Sequence, residues 1–533
     1  MYSYKYTLEV TSWSQNAQEY IVDLVKAFNI VYNIEQSPIN PNEVILTIKG
    51  EKEELDKLEF KLIKNLSSHA NIEDFTKTTT KLSEDILVDN NILDMDICEF
   101  KLHYKSEILE EDAVAQSIKL LKSQKVGLIK NTNGYYLSAI ASKSSPVKKI
   151  RELLAYKTKP LPLLVKSSFQ ASKFVVLGKK DEALLNSDIK PFLKCKKKNI
   201  HRLEKIKNTP VNSVAPANIY YIKLPKNQLE ELFAEEVNIP LVFIKIEDYM
   251  KYIDNVDFFL TFEKNFLEYD DSYMQVIYGK SQIIKLGFGH DSSCIELDKS
   301  IDKNIVCSYK NSTAVAYENC LTLSPYGMEE KEFFILNRNF QEDIRIEKIY
   351  ENSIALVHSF ESGFDSALVF EFSTNQAKIF LWKDSKLELK YSLKNPPKTY
   401  FDKTVLKSGL TKELNFSNES QLYCDNSYEI CFEKSFDYVI NNDTIDIDLS
   451  KELNKNEICS TLLNTFTDII KDFEQKYQLP TILCGDLFEN KNLTENIIEY
   501  FDDNNLDFYL SEKIPLNESC IPLGTILDNI IKS

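Results

Sequence analysis

The residue types that most often carry metal or thiol chemistry are present in this chain, but without the spacing that such chemistry requires. The ten cysteines are dispersed and form no CxxC pair, and the five histidines form no HxxxH or HExxH pair. A structural zinc site needs closely spaced thiolate or imidazole ligands, because one turn of chain must supply two corners of a tetrahedron. The sequence therefore predicts no metal site.

Phosphate chemistry is also poorly provided for, because glycine and arginine are both scarce. Of 12 glycines in 533 residues only Gly287 and Gly289 lie close together, and neither GxGxxG nor GxxxxGK[ST] occurs. Glycine lets backbone N–H groups approach a phosphate, and an arginine fork can bind one with two hydrogen bonds. The arginines are Arg151, Arg202, Arg338 and Arg345. Rossmann and P-loop nucleotide sites are disfavoured, although a low-GC genome would explain part of both scarcities.

Composition and charge describe a globular protein. Hydrophobic residues make up 43% and charged residues 27%, which excludes wholesale disorder. The net charge of −17 repels phosphate backbones and disfavours nucleic acid as a partner. Apart from Phe192 at its edge, a basic run over 190–207 lacks interleaved aromatic side chains for base stacking, so a solvated insertion loop is preferred there over an RNA-facing patch.

The compartment is inferred from what the sequence lacks. No apolar segment reaches the ~18 residues of a membrane span, and the amino terminus has no apolar signal core. We expect a cytoplasmic protein with reduced cysteines and no membrane partner.

The periodicity of apolar residues divides the chain into three folding units and a linker. Residues 1–80 form a small α+β module of ferredoxin-like type, and residues 81–110 a polar linker. Residues 111–292 mix strands and helices. Residues 295–533 open with strands, including one over 354–358, and close with helices. The predicted fold class is multidomain α/β and α+β.

Several motifs resemble the hydrogenase-maturation carbamoyltransferase family, HypF, in that family's domain order. In the middle of the chain, KVGLIK at 125–130, SVAP at 213–216 and DDS at 270–272 resemble its YrdC-like domain. Near the end, TILCGDLFENKNL at 481–493 and IPLNESCIPLG at 514–524 resemble its last domain. The resemblance implies an acylphosphatase-like module, a YrdC-like α/β domain and a truncated, actin-like (sugar-kinase-like) domain, with the family's zinc ribbons missing.

The resemblance also implies a function. The family uses carbamoyl phosphate and ATP to form a carbamoyl-adenylate, and it passes the carbamoyl group to the C-terminal cysteine of its partner HypE during [NiFe] hydrogenase maturation. Two hypotheses follow. The chain is either such a carbamoyltransferase, with HypE as its partner and ATP and carbamoyl phosphate as substrates, or a catalytically eroded paralogue that binds or scaffolds in the same pathway.

Four cations are candidates for a residual phosphate-binding pocket within the YrdC-like resemblance. They are Lys130, Arg151, Lys159 and Lys285. Such cations would neutralise charge during in-line displacement at a phosphate. The alternative is that they are surface lysines and a helix-end arginine.

Four further residues are ligand-site candidates with a structural alternative. Asp270, Asp271 and Ser272 would orient a ribose or a phosphate, but capping a turn is the preferred reading. Asn490 would lie beside a nucleotide, yet an asparagine at a helix entrance is first an N-cap. His358 is expected to be a buried core histidine.

The departures from the family pattern favour erosion over activity. Neutral Gln18 and Gln36 stand near the places of the arginine and asparagine of an acylphosphatase-like loop. The metal-binding histidine run leaves at most His358, and the glycine-rich phosphate loop becomes the segment 371–376. Asp486 replaces a glycine, which would put a carboxylate beside any nucleotide phosphate.

Overall fold

The structure is a computed structural model. It describes residues 2–13, 25, 31–36, 43–50, 52, 55–59, 70–81, 99–131, 134–156, 159–187, 189–198, 208–215, 219–262, 271–287, 295–297, 301, 303–310, 312–317, 319–324, 344–407, 434–451 and 457–532. Its described strands form four sheets, and the prediction of a multidomain α/β and α+β protein is confirmed.

The first unit is a four-stranded antiparallel sheet. Its strands are β1 (Tyr2–Trp13), β2 (Val31–Gln36), β3 (Glu43–Gly50) and β4 (Ala70–Lys81). Their order β2-β3-β1-β4 is that of a ferredoxin-like fold. Alternate residues Tyr4, Tyr6 and Leu8 of β1 are buried, as are Leu55 and Leu58 in a helical segment. The Tyr4 hydroxyl donates to Asp56 Oδ1 of that segment at 2.6 Å.

The middle unit is built on an eleven-stranded mixed sheet. Its strands are β5 (Phe100–Tyr104), β6 (Glu107–Leu109), β7 (Gly127–Asn131), β8 (Gly134–Ile140), β9 (Leu163–Leu164), β10 (Phe192–Lys196), β11 (Ile219–Lys223), β12 (Leu241–Ile246), β13 (Phe258–Phe262), β14 (Tyr273–Ile277) and β15 (Lys280–Lys285). Their order is β15-β14-β10-β11-β9-β12-β8-β7-β13-β5-β6.

Five α-helices accompany this sheet in the part of the unit that the structure describes. They are α1 (Ala113–Lys122), α2 (Ser144–Leu154), α3 (Ser168–Ala171), α4 (Lys179–Leu185) and α5 (Gln228–Val237). Helices α1 and α5 bury the apolar side chains of one stripe each, such as Leu121 and Phe233, in one core cluster with Ile129 and Leu260 of the sheet. The opposite face of the sheet packs against α2, through residues such as Val147 and Ile150.

The expected linker over 81–110 is wrong in its second part. Strands β5 and β6 lie within it, and β5 pairs antiparallel with β13 over five residue pairs from Tyr104–Phe258 to Phe100–Phe262. Polar residues at these positions suggested a linker because β5 and the edge strand β6 leave most of their side chains at least partly exposed. Residues 82–98 lie outside the described residues.

The last unit consists of two lobes. The first carries the five-stranded sheet β16-β19-β18-β17-β20, and the second the seven-stranded sheet β24-β25-β23-β22-β21-β26-β27. The strands are β16 (Ile295–Glu296), β17 (Ile305–Tyr309), β18 (Ser312–Tyr317), β19 (Cys320–Ser324), β20 (Ile344–Ile346), β21 (Ser366–Ser373), β22 (Gln376–Lys383), β23 (Lys386–Leu393), β24 (Tyr438–Asn441), β25 (Thr444–Ile447), β26 (Thr481–Cys484) and β27 (Phe508–Tyr509). The helices are α6 (Ser353–Ser362), α7 (Pro397–Lys407), α8 (Ile458–Tyr477), α9 (Lys491–Asp503) and α10 (Ile521–Lys532).

The strand predicted at 354–358 is wrong, because these residues belong to helix α6. Ile354 through Ser359 are all buried. A helix that is enclosed on every side loses its amphipathic pattern, so a short apolar run with β-branched residues resembled a strand. The expectation that His358 is a buried core residue is correct.

The structure bears on two expectations about the compartment, the state of the cysteines and the lack of a membrane span. Cys320 is disulfide-bonded, which contradicts the expectation that every cysteine is reduced, whereas Cys195, Cys307, Cys484 and Cys520 are free and buried. Among the described residues, none of the helices combines the length and apolarity that crossing a membrane demands.

Candidate functional site

Asp271 lies two residues before β14 and takes part in a buried ion network. Its Oδ1 accepts a hydrogen bond from Lys223 Nζ at 3.0 Å, and its Oδ2 accepts one from the Tyr136 hydroxyl at 3.0 Å. Burial alone would raise the pKa of Asp271, but the nearby ammonium groups of Lys223 and Lys226 hold it below its ordinary value. The turn-capping expectation for Asp271 is therefore wrong, because the carboxylate points into the interior.

Glu230 completes this network from helix α5. Its Oε1 accepts from Lys223 Nζ at 3.1 Å and from Asn131 Nδ2 at 2.8 Å, and its Oε2 accepts from the backbone N–H of Lys226 at 2.8 Å. The Lys223 side chain is 0% exposed. Burial lowers its pKa, but the two carboxylates outweigh this and raise it. Sequence reasoning missed Lys223, since its partners lie at distances of 7 and 48 residues along the chain.

Ser272 fixes the end of the β14–β15 hairpin. Its Oγ accepts from the Gly287 backbone N–H at 2.9 Å, and its carbonyl accepts from Phe192 N at 2.8 Å. Asp270 lies outside the described residues. A ligand role for this segment stays a prediction.

Arg151, on the last turn of α2, donates to four backbone carbonyls. They belong to Ser213, Tyr156 (3.1 Å), Lys159 (3.0 Å) and Val214 (2.9 Å). Burial lowers the pKa of the guanidinium. The guanidinium group that could bind an oxyanion is therefore hydrogen-bonded to two loops of the middle unit.

The other three predicted cations are spread across the unit. Lys159 Nζ lies 4.9 Å from the centre of the Tyr156 ring, close to Arg151. Lys130 Nζ donates to the Phe262 carbonyl at 2.9 Å and lies over that ring at 4.8 Å. Lys285 is exposed on edge strand β15, with six strands between it and the β7 strand of Lys130. The structure brings Arg151 and Lys159 together, but it does not form one pocket from the four residues.

The basic run is not a solvated loop over its described part. Lys194 and Lys197 are buried on and just after β10. Their ammonium groups donate to the carbonyls of Glu489 (3.0 Å) and Ala215 respectively, and Lys198 Nζ donates to the Ser172 carbonyl. Burial lowers the pKa of Lys197 to about 8. Residues 199–207 lie outside the described residues.

A second hydrogen-bonded cluster lies in the last unit, at the turn between β21 and β22. Asp486 Oδ1 accepts from the backbone N–H of Thr374 at 2.5 Å, and Oδ2 accepts from the Thr374 hydroxyl at 2.5 Å. Gly485 makes this approach possible with φ +104°, and a Cβ there would lie 2.2 Å from the Phe372 carbonyl oxygen. Burial raises the pKa of Asp486, and Glu518 acts in the same direction.

Glu371 and His358 lie deep in the same unit. Glu371 Oε2 accepts from the Ala355 backbone N–H in the first turn of α6 at 3.2 Å, and Oε1 accepts from Gln376 Nε2 at 2.5 Å. Burial raises the pKa of Glu371 to about 7 and lowers that of His358 to about 4. Within the described part of the chain, no group of three or more His, Cys, Asp and Glu side chains is placed to hold a metal ion.

Asn490 is the N-cap of α9, as expected, since its Oδ1 accepts from Leu493 N at 3.1 Å. The preceding Glu489 joins the two units, because its carbonyl accepts from Lys194 Nζ and from Gln275 Nε2, each at 3.0 Å. Of the two acylphosphatase-type positions, Gln36 ends β2 and Gln18 lies outside the described residues.

Comparison with known proteins gives one family and two full-length structural matches. Residues 403–525 match the family model described as "Carbamoyltransferase, Kae1-like Domain, second subdomain". A crystal structure of full-length HypF in its phosphate- and nucleotide-bound form matches with a TM-score of 0.72 and 15% identity, covering 100% of this chain and 99% of that one. The fold of this chain is HypF-like. HypF from T. kodakarensis matches at a TM-score of 0.62 and 12% identity, covering 99% and 98%.

The HypF-like fold agrees with the resemblance found in the motifs. A comparison with curated proteins by sequence gave no match. The segment that matches the family model contains Asp486, which accepts the hydrogen bonds of Thr374. It also contains the N-cap Asn490 and helices α8 and α9. The carboxylate that departs from the family pattern therefore lies inside the segment in which the family is detected by sequence.

Proposed function

We propose that this HypF-like chain acts in [NiFe] hydrogenase maturation by binding a HypE-like protein, and that it does not itself form a carbamoyl-adenylate. The architecture supports the first part, since the chain aligns with HypF over its full length. The hydrogen bonds of Arg151 support the second part, and they are the observation on which the proposal rests.

Phosphoryl chemistry on carbamoyl phosphate and ATP would need cations that are free to neutralise developing charge. Arg151 directs its guanidinium at four carbonyls of its own unit. Lys130, Lys194, Lys197 and Lys198 each donate to a backbone carbonyl as well. A phosphate would have to displace these bonds before it gained any of its own.

The test is carbamoyl-phosphate-dependent ATP–pyrophosphate exchange by the purified chain, run beside capture of the purified HypE-like protein of the same organism. We expect no exchange above a protein-free control, together with saturable binding of the HypE-like protein in isothermal titration calorimetry. A HypE-like protein without its C-terminal cysteine is the matched control for specificity.

Exchange that is lost in both Lys130→Ala and Lys159→Ala would support the enzyme hypothesis and overturn the non-catalytic part of the proposal. Absence of binding to the HypE-like protein, with the chain folded, would overturn the scaffold part. The two arms therefore fail separately.

A further inference from the structure

One edge of the seven-stranded sheet is open. Strand β24 comes first in the order of the described strands and pairs antiparallel with β25. The Asp448 N–H donates to the Asp437 carbonyl at 2.8 Å, and bonded and non-bonded pairs alternate along an antiparallel ladder. Tyr438 and Ile440 therefore direct their backbone N–H and C=O groups away from β25. Among the described residues, no other backbone group bonds to them.

The apolar side chains of this edge strand are exposed on both faces of the sheet. Val439 is 56% exposed and Ile440 is 42% exposed. Successive side chains of a strand point to opposite faces, so Val439 lies on one face and Tyr438 and Ile440 lie on the other. Native proteins protect such an edge with lysine, proline or a bulge. Strand β24 contains neither residue, and its pairing with β25 is regular.

The charge around this edge is negative. The hairpin over 437–448 contains four aspartates and no lysine or arginine. The Tyr438 hydroxyl donates to Asp472 Oδ2 of helix α8. Burial raises the pKa of Tyr438, and the charges of Asp472 and Asp468 act in the same direction. Helix α8 therefore adds two carboxylates on the Tyr438 face of the edge.

The lysines close to this hairpin have partners of their own. Lys394 Nζ lies 2.6 Å from Asp446 Oδ2, and Lys434 Nζ lies 2.9 Å from Glu457 Oε2. Lys451 Nζ donates to a backbone carbonyl at 3.1 Å. Within the part of the chain that the structure describes, four carboxylates around the edge form no ion pair, those of Asp437, Asp443, Asp468 and Asp472.

This charge distribution favours one kind of partner. Two copies of β24 placed edge to edge would bring the aspartates of one hairpin beside those of the other, and like charges across an interface oppose binding. A basic segment is attracted by the same carboxylates. Because Asp468 and Asp472 lie on the Tyr438 face, a lysine or arginine on that face would reach them while its stem covers Ile440. A β-branched side chain fits beside Val439 on the opposite face.

We propose that the β24 edge binds an extended, basic segment of a partner protein, which adds to the sheet as a further strand and alternates lysine or arginine with valine or isoleucine. Backbone hydrogen bonds to the open groups of Tyr438 and Ile440 supply affinity, and the alternating side chains supply specificity. The inference rests on β24, β25 and α8 alone, so it is independent of the proposed function.

The test is fluorescence anisotropy of a labelled peptide of alternating lysine and valine, titrated with the full chain. We expect saturable binding that weakens as the salt concentration rises. The matched control is the same peptide with N-methylated backbone amides, which cannot donate to the edge. We expect the control to bind more weakly by roughly fivefold or more. A peptide of alternating glutamate and valine should not bind.

Two variants of the chain locate the binding. Ile440→Pro removes an open N–H and leaves the bonds to β25 in place, so affinity for the lysine peptide should fall by roughly fivefold. Asp468→Asn combined with Asp472→Asn should weaken binding and reduce its salt dependence.

Three results would overturn the proposal. They are the absence of binding to the wild-type chain, equal affinity for the N-methylated peptide, and unchanged affinity in both folded variants. Analytical ultracentrifugation without peptide tests the other occupant of the edge. A dimer of the wild-type chain that is lost in Ile440→Pro would assign the edge to a second copy and would also overturn the proposal.

Discussion

Asp271 in the middle unit and Glu371 in the last unit are both buried carboxyl groups, but their pKa values move in opposite directions. Asp271 bonds to Lys223, and the ammonium keeps the carboxyl ionised. Glu371 accepts hydrogen bonds from the neutral N–H groups of Ala355 and Gln376, and burial raises its pKa to about 7 although the charge of Lys378 acts in the opposite direction. The pKa is lowered where an ammonium group donates directly to the buried carboxylate, as Lys223 does to Asp271.

The two units also differ in the kind of internal partner that their polar groups have. In the middle unit the cation Arg151 donates hydrogen bonds to four backbone carbonyls of the protein itself. In the last unit the backbone N–H and the hydroxyl of Thr374 donate to the carboxylate of Asp486. In both units the polar groups that resemble parts of an anion site are hydrogen-bonded within the protein.

The largest expected effect comes from breaking the buried ion network. Lys223→Met leaves Asp271 and Glu230 buried without their ammonium partner, and we expect a loss of roughly 3–5 kcal/mol in the free energy of unfolding. Urea denaturation of the full chain measures it. Lys180→Met, which removes an exposed ion pair with Glu512, is the control, with an expected loss below about 1 kcal/mol. Equal losses in the two variants would show that the network is not tightly coupled.

The pH dependence of stability should separate the two units next. The folded pKa of Glu371 is raised to about 7, so its contribution is full below its ordinary pKa of 4.5 and is lost as the pH rises to 7. A shift of this size corresponds to roughly 3 kcal/mol. We expect Glu371→Gln to remove this loss when wild type and variant are compared by thermal unfolding between pH 4.5 and 7.

His358 provides the opposite slope in the same unit. Its folded pKa is lowered from 6.5 to about 4, so its contribution is full above pH 6.5 and is lost as the pH falls toward 4. His358→Gln should flatten that acid arm by roughly 3 kcal/mol and leave the arm above pH 6.5 unchanged. A variant profile parallel to the wild type throughout would contradict the buried, neutral imidazole.

The fourth prediction concerns the backbone that carries Asp486. Gly485→Ala adds a methyl group 2.2 Å from the Phe372 carbonyl oxygen at φ +104°, and we expect a loss of roughly 2–3 kcal/mol. Gly363→Ala is the matched control, because its φ is +70° and nothing lies within 4 Å of the added carbon. That change should cost about 1 kcal/mol. Similar losses would mean that the close approach of β21 and the Gly485 turn is not constrained.

The smallest effect is expected for Arg151→Lys. Lysine keeps the charge but cannot reproduce the fork that reaches four carbonyls, so stability should fall by roughly 1–2 kcal/mol. Lys159→Arg, which leaves the Lys159 carbonyl in place, should change stability by less than about 0.5 kcal/mol. An unchanged melting temperature in Arg151→Lys would argue that the guanidinium is available to a ligand.

The sequence predicted much of the architecture, because strands such as β12 and helices such as α8 carry clear apolar patterns. It failed where the partner of a residue is remote. Lys194 was assigned to a solvated loop, but its ammonium reaches the carbonyl of Glu489, 295 residues away. Helix α6 was assigned to a strand because a helix buried on all sides has no polar stripe.

The site shows the same division. The motifs drew attention to Asp486 as a carboxylate out of place, yet its partner Thr374, 112 residues earlier, follows only from the parallel pairing of β21 and β26. The scarcity of arginine drew attention to Arg151. The carbonyls that accept its hydrogen bonds, however, lie in loops whose path the sequence does not predict.

The most direct test of the account is phosphorus-31 NMR of carbamoyl phosphate titrated with the intact wild-type chain, with and without ATP. If the chain's own oxygens engage the cations of the middle unit, the phosphorus line widths will match those of the free compounds. Broadening that saturates with protein and disappears in Arg151→Lys would contradict it.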